Sequence, residues 1–142
     1  MMSITRERKR ANFKAIEMEL RYYPQLKQQL EDARADIIEA TPFSDVSVET
    51  ELGNSVLSKV IQLQSSAALQ ETSRRVRAIE YALEETANRC DTSRVRLIEL
   101  KYFDNKLTNE GIMQELKIGS NSFYRWRREF VRLVAERLGW VV

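Results

Sequence analysis

"TNEGIMQELKIGSNSFYRWRREFVRLVAERLG", Thr108 to Gly139, carries the clearest helix caps and apolar spacing in the chain. Thr108 is a natural N-cap, because its hydroxyl can accept a hydrogen bond from a free amide of a helix's first turn. Ile112, Met113 and Leu116 give the short helix that follows an apolar side. Lys117, Ile118 and Gly119 form a turn, in which Ile118 is expected to plug the angle between two helices. Ser120 is the expected cap of a second helix that runs to Leu138, where Gly139 can end it. Two short helices joined by a tight turn make a helix-turn-helix.

The second helix sorts its residues by face. At about 100° per residue, Phe123, Trp126, Phe130, Leu133 and Val134 fall within about 100° of one another and form the core stripe. Burying Phe123 or Trp126 contributes about 1.5 to 3 kcal/mol each, so both are expected to hold the motif together. Asn121, Arg125, Arg128 and Arg132 lie about 140° to 200° away from Phe123, almost opposite that stripe. Arg127 flanks the apolar side, with its stem over the core and its head reaching solvent or a phosphate. Tyr124 and Ser122 sit at the two edges of the exposed face.

An α-helix fits the major groove of B-DNA, where Arg pairs with guanine O6 and N7, and Asn with adenine N6 and N7. Residues near the start of a recognition helix reach base edges. Asn121, Tyr124, Arg125 and Arg128 are therefore candidate base readers. Arg127, Arg132 and Lys117 are candidate phosphate contacts. The competing reading is a solvated arginine face on an ordinary core helix.

Working towards the amino terminus, Asp91, Thr92 or Ser93 can cap a helix whose buried side carries Val95, Leu97, Ile98, Tyr102 and Phe103, and "FDNKLT" closes it. A long helical region is expected from Ser55 to about Asn88, with Val56, Val60, Leu63, Val76, Ile79 and Leu83 along it and a possible interruption at Gln64 to Ser66. Thr41 to Asn54 reads as a loop. Thr5 to Tyr22 reads as a helix through Phe13, Ile16 and Leu20. Pro24 is expected to break it and to start a second helix carrying Leu26, Leu30, Ala33 and Ile37, the two packing as a hairpin or a bent pair. The predicted fold is all-α: an N-terminal helical hairpin and long middle helix over residues 1–90, then a helix-turn-helix region over 91–142.

Composition agrees, since 4 Gly and 2 Pro in 142 residues leave few turn signals and 43% hydrophobic residues suffice for a core. The single cysteine, Cys90, excludes an internal disulfide framework, and the absence of histidine excludes Ser-His-Asp, Cys-His and ordinary zinc sites. No enzyme activity, cofactor or metal is expected. No leader or long apolar run is legible, which suggests a cytoplasmic protein. The net charge of +2 divides into +3 over residues 1–21, −5 over 22–93 and +4 over 94–142, so an anionic partner would be met at the basic ends. The run Arg6 to Arg10 is a candidate second phosphate contact.

"ELKYFDNKLTNEGIMQELKIGSNSFYRWRREFVRLVAERLG" resembles the DNA-binding part of the RinA and ArpU groups of phage transcriptional regulators, and region four of bacterial sigma factors. "IEMELRYYPQLKQQLEDARADII" resembles the opening segment of the same regulators. The resemblance implies an activator of late phage genes (packaging, morphogenesis or lysis) that binds double-stranded DNA upstream of them in the host cytoplasm, as an oligomer or beside RNA polymerase or its sigma factor. It puts Ser120, Asn121, Ser122, Tyr124, Arg125, Arg127 and Arg128 in the recognition helix. Two departures stand out: Gly119 where the family usually has the capping Ser, and Lys117 where the turn often has a small residue. The alternatives are a small terminase-like packaging protein and a helical adaptor that binds polymerase or sigma without touching DNA.

Overall fold

The structure is a computed structural model that describes the backbone of residues 2–39 and 67–142, and the side chains of 5–36 and 67–142. The expected loop at Thr41 to Asn54, the positions Val56, Val60 and Leu63, and the step from Gln64 to Ser66 lie outside the described residues. Every regular element among the described residues is helical. We number them α1 (Met2–Glu39), α2 (Ala67–Arg89), α3 (Thr92–Ile98), α4 (Asn109–Leu116) and α5 (Ser120–Leu138). No helix among the described residues is long and apolar enough to cross a membrane.

The N-terminal hairpin is not formed. α1 continues unbroken through Pro24, which lies inside it. An interior proline removes one backbone hydrogen bond and crowds the carbonyl four residues earlier, at a cost of about 3 kcal/mol. Burial on both sides of the break offsets that cost: Ile16, Leu20 and Tyr23 precede it and Leu30 follows it, all at most 7% exposed. At about 1.5 to 3 kcal/mol for each large side chain, these anchors outweigh the proline.

The described chain forms two compact units. One compact unit combines residues 1–24 with 75–142, and the other covers 25–74. The amino-terminal half of α1 thus belongs with the C-terminal helices. The first unit holds a core of Ile16 and Leu20 from α1, Val76, Ile79 and Ala82 from α2, Leu97 and Ile98 from α3, Ile112 from α4, and Phe123, Phe130, Val131 and Val134 from α5. In the second unit, Gln28 donates to Asp32 one turn along α1, and Arg74 pairs with Glu71 on α2.

Caps form where short polar side chains meet free amides. Asp91 caps α3, its carboxylate accepting from Ser93 N at 3.5 Å, and Thr108 caps α4, its hydroxyl accepting from Gly111 N at 3.1 Å. α3 does not continue as an ordinary helix: Glu99–Asp104 winds as a π-helix and ends at Asn105 in the left-handed region. That segment buries Leu100 and Tyr102 and leaves Phe103 half-exposed, its ring 5.0 Å from that of Tyr23.

Replacing Pro24 with Ala should stabilise the protein by about 1 to 3 kcal/mol in urea denaturation, because the Leu20 carbonyl regains its partner and the exposed position gains a strong helix former. Loss of stability on that substitution would mean that the chain needs a break at residue 24.

Candidate nucleic-acid interface

α4 and α5 are joined by Lys117, Ile118 and Gly119, as the sequence suggests. Lys117 takes the left-handed conformation at φ 56°, so that its own N–H bonds Gln114 O at 3.3 Å and the N–H of Ile118 bonds Met113 O at 3.0 Å. This is the Schellman arrangement, normally completed by glycine because a Cβ is strained there. The same arrangement ends α5, with Gly139 at φ 73° and the N–H of Trp140 on Ala135 O at 2.9 Å. The cap of α5 is Gly119 and not Ser120, which is the first helical residue. Glycine supplies no side-chain acceptor, and a Cβ built on Gly119 would meet nothing within 4 Å, so the approach to the start of α5 is open.

The buried side of α5 is rotated from the expected stripe. Phe123, Phe130 and Val134 are buried as predicted, but so are Val131, Ala135 and Leu138, while Trp126 and Leu133 are only partly covered. On the helical wheel this moves the middle of the buried side by about 70°, onto Arg127. The Arg127 side chain is 23% exposed and its guanidinium pairs with Glu17 of α1, Nε donating at 3.1 Å and Nη2 at 3.5 Å. It also lies 5.2 Å from the Phe13 ring centroid and 5.8 Å from that of Tyr124. The expectation that the head of Arg127 reaches solvent or a phosphate is therefore corrected, because an inward-facing cation must find an internal carboxylate.

Glu17 completes the cluster by accepting a third hydrogen bond, from the Tyr102 hydroxyl at 2.6 Å. Sequence reasoning missed this group, although a signal was present. Glu17 stands on the stripe of Phe13, Ile16 and Leu20, and Arg127 on that of Phe123, Phe130 and Val134. A charged residue in register with an apolar stripe is a candidate for a buried pair.

The five arginines of α5 are thus sorted by their partners. Arg127 is held by Glu17, and Arg137 lies 3.6 Å from the ring centroid of Tyr81 on α2. Arg125, Arg128 and Arg132 are exposed and have no ion-pair partner among the described residues. These three share one face with exposed Asn121, and Lys117 and Ser120 are exposed at the turn. Tyr124 is 42% exposed and its ring stands edge-on to Phe123 at 5.1 Å, while Ser122 is partly covered. Of the two carboxylates on α5, Glu129 accepts from Arg94 of α3, whose guanidinium lies 5.1 Å from the centroid of the Trp126 ring, and Glu136 is exposed one turn beyond Arg132. The indole N–H of Trp126 is buried with no hydrogen-bond partner among the described residues.

The chain belongs to the family described as Protein of unknown function (DUF722), whose model matches residues 5–136. No curated protein and no solved structure matches the chain.

Burial first, then the hydrogen bond to Glu17 and the charge of that carboxylate, raise the Tyr102 hydroxyl well above its usual 10.0. A folded-state value above the unfolded one means that the stability from this group is intact below pH 10 and is lost as pH rises further, at about 1.4 kcal/mol per unit. Lys101, whose proton is held less tightly because of burial and then Arg127, is present with or without the tyrosine hydroxyl and drops out of a comparison. Tyr102→Phe should cost about 1 kcal/mol at pH 8, and that cost should shrink or vanish by pH 11. Urea denaturation at the two pH values checks this, and a constant gap would contradict the buried hydrogen bond.

Proposed function

We propose that the chain is a sequence-specific DNA-binding regulator, with α4 and α5 acting as a helix-turn-helix and α5 as the recognition helix in the major groove. The observation that carries this reading is the sorting of α5: its unpaired arginines, Arg125, Arg128 and Arg132, all lie on the face that also presents Asn121. Glu129 and Glu136 border that face, but among the described residues neither pairs with its arginines, which leaves three cations available to an anionic partner. Lys117 and Ser120 lie at the entrance to the same face. Arg127 is left out of the DNA-contacting set because Glu17 occupies it.

The likeness of the C-terminal stretch to RinA and ArpU regulators supports the finer reading of a phage activator of late genes, working in the bacterial cytoplasm beside RNA polymerase or sigma factor and as an oligomer.

Fluorescence anisotropy against duplexes tiled across the upstream region of late genes tests the proposal. One tile should bind tightly, and Arg125→Ala or Arg128→Ala should weaken that complex by about 5- to 150-fold while leaving the thermal melt unchanged. Arg132→Ala should instead reduce the slope of log affinity against log salt by about 0.9, the value for one lost phosphate contact. Weak binding to every tile that disappears with salt and ignores all three substitutions would make the face solvated charge and bring forward the adaptor reading.

A further inference from the structure

Asn121 and Arg125 are four residues apart on α5, both exposed, and neither has a partner among the described residues. Their side chains leave the helix within about 40° of one another and about 6 Å apart along its axis. Successive bases on a strand are about 3.4 Å apart, so that separation corresponds to one or two base steps. The open glycine cap lets the amino end of α5 approach first, and Tyr124, fixed edge-on against Phe123, stands beside the pair at the border of the face.

Distance separates these two residues from Arg132. Arg132 is about 16 Å from Asn121 along the helix axis, and over that length a straight helix lying along the groove leaves its curving floor. A helix whose first two turns occupy the groove therefore brings Arg132 to the sugar-phosphate wall. Asn121 and Arg125 remain over base edges. Their chemistries differ: a carboxamide donates and accepts, matching adenine N7 and N6, whereas a guanidinium only donates, matching guanine O6 and N7.

We infer that Asn121 and Arg125 specify an adenine and a guanine, one or two base steps apart in a single half-site, while Arg132 grips the backbone. This rests on the DNA-binding reading given above. It adds what that reading lacks, the base content of the operator and the residue that reads each base.

Selection from a pool of randomised duplexes tests the assignment, using the full chain, Asn121→Ala and Arg125→Ala, each checked for an unchanged helical spectrum and melt. The unaltered protein should enrich sites with an adenine and a guanine at that spacing. Asn121→Ala should relax the adenine alone and Arg125→Ala the guanine alone, each by about 5- to 150-fold in discrimination. Replacing that guanine with 7-deazaguanine, which lacks the N7 acceptor, should weaken the unaltered protein and leave Arg125→Ala indifferent. Enriched sites whose adenine and guanine preferences survive both substitutions would overturn the assignment and leave the DNA-binding reading standing. If the folded, unaltered chain enriches no sequence, the DNA-binding reading fails and takes the assignment with it.

Discussion

A carboxylate taken out of water must be met by donors, and in this protein that requirement falls on Glu17. Its side chain is 15% exposed and receives the Arg127 guanidinium and the Tyr102 hydroxyl. The three residues come from α1, the π-helical segment after α3, and α5, so one cluster links the amino-terminal helix to two elements far along the chain. Leaving any one of these groups without its partner would strand a buried polar atom, a penalty of about 1 to 3 kcal/mol or more for a charge. The orientation of α5 is tied to this arrangement, because Arg127 can face inward only where Glu17 is present.

The same constraint shapes the outer surface. With Arg127 turned inward, Arg137 against Tyr81, and Glu129 engaged by Arg94, the outward side of α5 presents Asn121, Arg125, Arg128 and Arg132, with Glu136 as the exposed carboxylate at its far end. The proposed interface is thus what remains after internal charges have been matched. The departures at the turn are tolerated for related reasons. Lys117 accepts left-handed strain because two backbone hydrogen bonds close the end of α4 around it, and Gly119 gives up side-chain capping where the start of α5 is open.

Much of this was legible in sequence because it depends on local chemistry. The apolar spacing of Phe123, Phe130 and Val134, the Thr108 cap, the turn at Lys117 to Gly119 and the stop at Gly139 each follow from groups a few residues apart. The exposed side of α5 follows from its wheel. Two features were misread for opposite reasons. Pro24 is a strong local signal, but non-local burial of Ile16, Leu20, Tyr23 and Leu30 overrides it. Glu17 gives a weak local signal, since a lone glutamate on an amphipathic helix looks like a boundary residue until its distant partners are known.

The sequence by itself determined the all-α class, the short helices and caps of the C-terminal region, and the side of α5 that carries free arginines. Helical periodicity and capping are properties of neighbouring residues and need no knowledge of the rest of the chain. Only the tertiary structure decided that α1 runs through its proline, that its first half belongs with the C-terminal helices, and that Arg127 is an internal cation. Those outcomes depend on which groups meet across separations of 85 to 110 residues, from Glu17 to Tyr102 and to Arg127. Burial energy, which exceeds local propensity, settles such encounters in three dimensions.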